Sequence, residues 1–214
     1  MTMTPHIEQW LQQAGYEYHC FISWPHTENK DLTDCARFIK DAIVNDLALS
    51  VPNPRVFLDE TTIPAGNEWP LSLRNALCKS ISMVAICAPI YYHPSHVWCG
   101  LEWAAMSMLG QKRLPNEETK AIIPIMIRVS NVPSVVSQFQ YVDLSSVTIR
   151  GRRYYNTQEF KSKVKQITNS IERIAAALAT NQAKPHCDQF QFPSCSAFAD
   201  YQPQSQPLPF RNRP

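Results

Sequence analysis

The stretch "ISMVAICA", residues 81 to 88, constrains the fold of this 214-residue chain more than any other segment. A run of strand length with almost no polar side chain has no solvent face, so it belongs in a sheet covered on both sides. A second such run, "AIIPIMIRV", occupies residues 121 to 129. Around these runs the apolar spacing changes to the helical repeat. Leu32, Ala36, Ile39, Ile43 and Leu47 form one stripe between about Asn29 and Leu49. Phe160, Val164, Ile167, Ile171, Ile174 and Leu178 form another, in a helix that Asn156 and Glu159 open as a capping box. Further strands are expected at "YEYHCFIS" (16 to 23), "PRVFLDE" (54 to 60) and "QYVDLS" (140 to 145), and further helices from Pro70 to about Ser80 and Val97 to about Leu109. Strands alternating with helices predict an α/β domain: an open five-stranded parallel sheet with helices on both faces.

The remaining features mostly exclude. Charges nearly cancel, at +2, which gives no reason to expect a nucleic acid partner. No apolar run reaches the length of a membrane span and the first residues do not read as a signal peptide, so a soluble, cytoplasmic protein without a membrane partner is expected. The seven cysteines lack any Cys-x-x-Cys pair, which argues against a zinc site or a disulfide scaffold and for most of them being small buried side chains in a reducing compartment. No bound metal or cofactor is expected. With five glycines and no GxxxxGK or GxGxxG, the usual phosphate-cradling loops are missing. The chain divides into an N-terminal extension (1–15), one domain (16–180) and a tail rich in proline, glutamine and serine (181–214). The tail is disordered by composition, or docks through Phe190, Phe192, Phe198, Tyr201 and Phe210.

In an open parallel sheet the ligand crevice lies beyond the carboxyl ends of the strands, where strand order reverses. For the order 2-1-3-4-5, the loop after strand one and the segment after strand three meet there. This brings Ser23 and Trp24 toward Trp98 and Glu102 of "HVWCGLEWAAM" (96 to 106). Trp98 and Glu102 are one helical turn apart, an indole beside a carboxylate. Indoles offer flat faces for a nicotinamide or adenine ring, and a carboxylate can hold ribose hydroxyls. Asp59 either caps the following loop or faces the crevice. Cys99, at a helix start, reads as a packing residue rather than a nucleophile, and Tyr92 is better placed to touch a ligand than His93 or His96.

Three segments together resemble the Toll/interleukin-1 receptor (TIR) domain. "YHCFISW" (18 to 24) is similar to its first box, "VFLDETTIPAGNEW" (56 to 69) to its second and "APIYYHPSHVWCGLE" (88 to 102) to its third, in order and over about residues 16 to 179. The resemblance implies a flavodoxin-like fold. It also implies one of two occupations: cleavage of NAD+ at the nicotinamide–ribose bond, as in stand-alone bacterial-type members, or non-catalytic scaffolding by TIR–TIR contact. For the enzyme, Glu102 matches the catalytic glutamate, and Ser23, Trp24, Pro25, His26, Asp59, Tyr92, Trp98 and Cys99 are the substrate-binding candidates, with NAD+ as substrate rather than cofactor. ADP-ribose or a cyclic variant would result, and immune or cell-death signalling would be served. Self-association into an oligomer or filament is implied for Ile63, Pro64, Ala65, Gly66 and Asn67, with an upstream sensor protein as a further partner. His19 replaces an acid usual in the first box, a change expected to be structural.

Overall fold

A computed structural model describes residues 5–60, 70–115, 119–127, 132–145 and 154–200. The sheet is five-stranded and wholly parallel, in the order β2-β1-β3-β4-β5. Its strands are β1 (Tyr18–Ser23), β2 (Val56–Leu58), β3 (Ser80–Cys87), β4 (Ile122–Met126) and β5 (Val142–Asp143). The apolar run from Ile81 is the sheet's centre: every residue of β3 is buried. It pairs with β1 from Tyr18↔Ser80 to Ser23↔Ala85 and with β4 from Met83↔Ile122 to Cys87↔Met126.

Six α-helices lie among the described residues: α1 (Pro5–Ala14), α2 (Lys30–Leu47), α3 (Leu71–Cys78), α4 (Val97–Arg113), the single-turn α5 (Ser134–Ser137) and α6 (Gln158–Thr180). Alternation along the strands separates two apolar layers. Cys20, Ile22, Val84 and Ile86 pack with α2 and α6, whose predicted stripes are buried in full. Phe21, Met83, Ala85 and Cys87 pack with α3 and α4 through Leu77, Trp103, Met106 and Leu109. Truncating a fully buried stripe residue such as Ile39 to alanine would cost roughly 2–5 kcal/mol.

Capping is local and specific. The Asn29 side chain accepts from the backbone amides of Asp31 and Leu32 to start α2. Thr157, one residue beyond the expected Asn156, caps α6 by accepting from the Phe160 amide. Residues 5–14 form α1, whose Leu11 joins the core. His19 is buried and ties this helix to the sheet. Its Nδ1 accepts from the Arg55 amide, so the ring proton sits on Nε2, 2.9 Å from Glu8 Oε2. The replaced acid of the first box thus has a structural task.

After α6 the chain crosses the α3–α4 face. The Tyr16 hydroxyl donates to the Ala183 carbonyl, and the buried Arg113 guanidinium donates to the carbonyls of Cys78, Ser80 and Pro185. Cys78 and Cys187 form a disulfide across 109 residues. The expectation of small buried thiols therefore fails for this pair. The bridge exists because the tail folds back onto the end of α3, a proximity that spacing along the chain does not express. Cys20, Cys35, Cys87 and Cys99 are free and buried, while Cys195 is free and exposed.

Candidate active site

The first connection from β1 leads to the edge strand β2 and the next places β3 on β1's other side, so the strand order reverses at the carboxyl end of β1. Ser23, the last residue of β1, is turned by the strand's alternation toward α4. There its hydroxyl donates to Glu102 Oε2 at 2.5 Å and lies 2.7 Å from the Tyr91 hydroxyl. A serine has one hydrogen to give, and the Oε2 of the Glu102 carboxyl takes it. Tyr91 is therefore the donor to Ser23, and the three groups form a directed chain from phenol to hydroxyl to acid. All three are buried, with Glu102 7% exposed.

Burial, the largest influence, pushes the Glu102 carboxyl up to about 8. The negative charge of Asp59 adds to this and the Ser23 hydrogen bond opposes it. Burial likewise pushes the Tyr91 phenol well above its ordinary value, so it keeps its proton and remains a donor. The Cys99 thiol is raised by burial and then by the neighbouring Glu102. It is no thiolate, which fits a packing residue.

Around this chain the sequence candidates gather unequally. Trp24 is buried and its indole donates to the Asp59 carbonyl at 2.9 Å, joining the ends of β1 and β2. His26 stacks on Trp24 with ring centroids 4.4 Å apart. Its imidazole is held below its ordinary value by burial, against the opposing charge of Asp59. Asp59 thus acts electrostatically on both His26 and Glu102, while its carbonyl accepts from Trp24. Pro25 is buried between Trp24 and His26 in the chain. Trp98 is half-buried against the apolar layer of α3 and α4. The Tyr92 hydroxyl points to Met126 Sδ. It is the neighbouring Tyr91, not singled out from the sequence, that reaches Ser23 and through it the acid, and the two adjacent tyrosines carry no sequence signal to tell them apart. Ile63, Pro64, Ala65, Gly66 and Asn67 lie outside the described residues.

Other features lie elsewhere. A groove of about 880 Å³ between β4, β5 and α6, lined among others by Lys120, Tyr141, Lys165 and Arg173, includes none of the acid's neighbours. No helix among the described residues is long and apolar enough to cross a membrane. No curated protein matches the chain. A family model for the TIR domain matches residues 21–153, a span that holds Ser23, Asp59, Tyr91 and Glu102. The parallel sheet in this strand order and that match, over more than half of the sequence, lead to one assignment: the chain belongs to the TIR domain family.

Proposed function

We propose that this TIR domain is an NAD+ glycohydrolase. TIR domains include NAD-cleaving enzymes and also partners that act only by TIR–TIR contact. The observation that supports the enzymatic reading is a lone buried acid, Glu102, held by Ser23 in the switch-point crevice. Nicotinamide leaves a pyridinium as a neutral base, so the general acid required by most glycosidases is dispensable. The carbon–nitrogen bond to the ribose breaks and its electron pair departs with nicotinamide. Positive charge then develops on the sugar, where a carboxylate in a water-poor site stabilises it most effectively. A water adds to the ribose carbon and loses a proton to solvent, giving ADP-ribose; an internal nucleophile in its place gives a cyclic product.

The raised affinity of Glu102 for its proton fits this scheme. The free site holds a neutral acid near pH 7, and an incoming pyridinium charge favours the carboxylate. In this reading Trp24, Pro25, His26 and Asp59 bound the ligand on the β1–β2 side, with Tyr92, Trp98 and Cys99 on the α4 side. Self-association through residues 63–67 is its activating step.

The scaffold reading is favoured by a different aspect of the same geometry: Glu102 is covered and already bonded, as a structural acid would be. The deciding experiment follows nicotinamide release from NAD+ by purified protein at high concentration. Glu102→Gln should lose about 10²–10³-fold in kcat, whereas Asp41→Asn, on the exposed face of α2, should match the wild type. Absence of release from the wild type under every clustering condition would leave the scaffold reading standing.

A further inference from the structure

The C-terminal segment meets the acid site from behind. Residues 195–200 lie against α4 at Gly100, two residues before Glu102. The Ala197 amide donates to the Gly100 carbonyl at 3.0 Å, and the Phe198 amide to Ser196 Oγ at 3.1 Å. A Cβ on Gly100 would run into the Ser196 side chain and lie 3.3 Å from the Ala197 amide nitrogen, so the close approach depends on glycine. The contact delivers Phe198, 3% exposed, into a cage of three aromatic rings: Tyr91 at 5.8 Å, Tyr92 at 5.1 Å and Trp103 at 5.7 Å between centroids. Tyr91 is the donor at the head of the chain that runs through Ser23 to Glu102. Its ring has Phe198 on one edge, with Tyr92 and Trp103 also in edge contact.

We infer that Phe198 is a positioning residue for the acid: docked at Gly100, it fixes the Tyr91 ring, and through it the Ser23 hydroxyl that holds Glu102. A catalytic role for Glu102 rests on the function proposed above; the mechanical coupling does not. Phe190 provides the contrast. It belongs to the same segment and packs on Phe192, 4.7 Å away between ring centroids.

The test is a double-mutant cycle on the full-length chain. Phe198→Ala, Tyr91→Phe and their combination are compared, with Phe190→Ala as the control. Two readouts are taken: the Glu102 titration midpoint, from ¹³C-labelled glutamate side chains, and kcat and KM for nicotinamide release. Because the Ser23 hydrogen bond holds the carboxyl down, Phe198→Ala, which loosens that bond through Tyr91, should raise the midpoint by about half a unit. It should also lower kcat about tenfold, the worth of one oriented hydrogen bond, with KM little changed. Neither effect should recur in the Tyr91→Phe background, and Phe190→Ala should move neither readout. Phe198→Leu, which refills most of the volume, should recover part of both.

Additive effects, or an unchanged or lowered midpoint in Phe198→Ala, would overturn the inference. So would loss of folding in both Phe198 variants, which would make Phe198 an ordinary core residue. A shifted midpoint in a protein that never cleaves NAD+ would keep the coupling and sink the glycohydrolase reading instead.

Discussion

Replacing Glu102 by glutamine keeps the shape of the side chain and removes its charge, so the pH dependence of the stability change isolates the energetics of the buried acid. In the folded protein the carboxyl holds its proton up to about 8, against an ordinary value of 4.5. Between those two values the unfolded chain has released a proton that the native state still binds. Stability due to this group is therefore fully present below about pH 4.5 and falls as pH rises, by about 1.4 kcal/mol per pH unit. The slope ends near pH 8, where the folded form also ionises. The accumulated difference is about 3 kcal/mol at pH 7 and about 5 kcal/mol above pH 8. Glutamine carries no such dependence, so the stability of Glu102→Gln relative to wild type should climb across this window and level off beyond it. For a chain of this size the climb corresponds to about 10–20 °C in melting temperature. Paired thermal melts of the two proteins from pH 5 to 9 measure it, and groups common to both cancel in the difference. A difference that stays flat over that range would show that the carboxyl is hydrated and that the crevice is not the dry site argued above.

The same group sets the expected pH profile of activity: kcat/KM, which reports the free enzyme, should rise with pH to a plateau above about pH 8. Arg113→Met leaves the carbonyls of Cys78, Ser80 and Pro185 without their donor and should cost about 3 kcal/mol in urea unfolding; a change under 1 kcal/mol would refute the role given to this buried charge. Gly100→Ala should expel Ser196 from α4, and limited proteolysis should then cut in residues 195–200 while the body of the domain stays intact. Peptide mapping without reductant should recover Cys78 and Cys187 in one linked pair, with Cys20, Cys35, Cys87 and Cys99 alkylated only after unfolding.

The architecture was legible because it is written in local periodicity. The run from Ile81, the stripes of α2 and α6 and the alternation of strands with helices each report burial within one segment, and the sheet order follows from the fold class they imply. The meeting of Ser23 with Glu102 followed in turn from that order. What local pattern could not express was contact between distant segments. Tyr91 and Tyr92 are adjacent and chemically alike, and which of them faces Ser23 depends on the 3₁₀ turn Pro89–Tyr92. The Cys78–Cys187 bridge and the seat of Phe198 depend on a tail whose own composition shows no period. Thr157 in place of Asn156 as the α6 cap is a smaller matter of one residue, decided by which side chain meets the Phe160 amide.

Arg113 has a consequence for how the C-terminal segment can move. Its guanidinium is sandwiched between the turn joining α3 to β3 and the carbonyl of Pro185, with the Tyr16 ring 5.4 Å beneath it. Lifting Pro185 away would take one of three carbonyls from a buried cation, and the Cys78–Cys187 bridge keeps the segment's near end on α3 even when the domain melts. Residues 195–200, among the described contacts, are held by one backbone hydrogen bond at Gly100 and by the seat of Phe198. The segment is a lever with a welded fulcrum, and Phe198 rests against the ring that donates to Ser23.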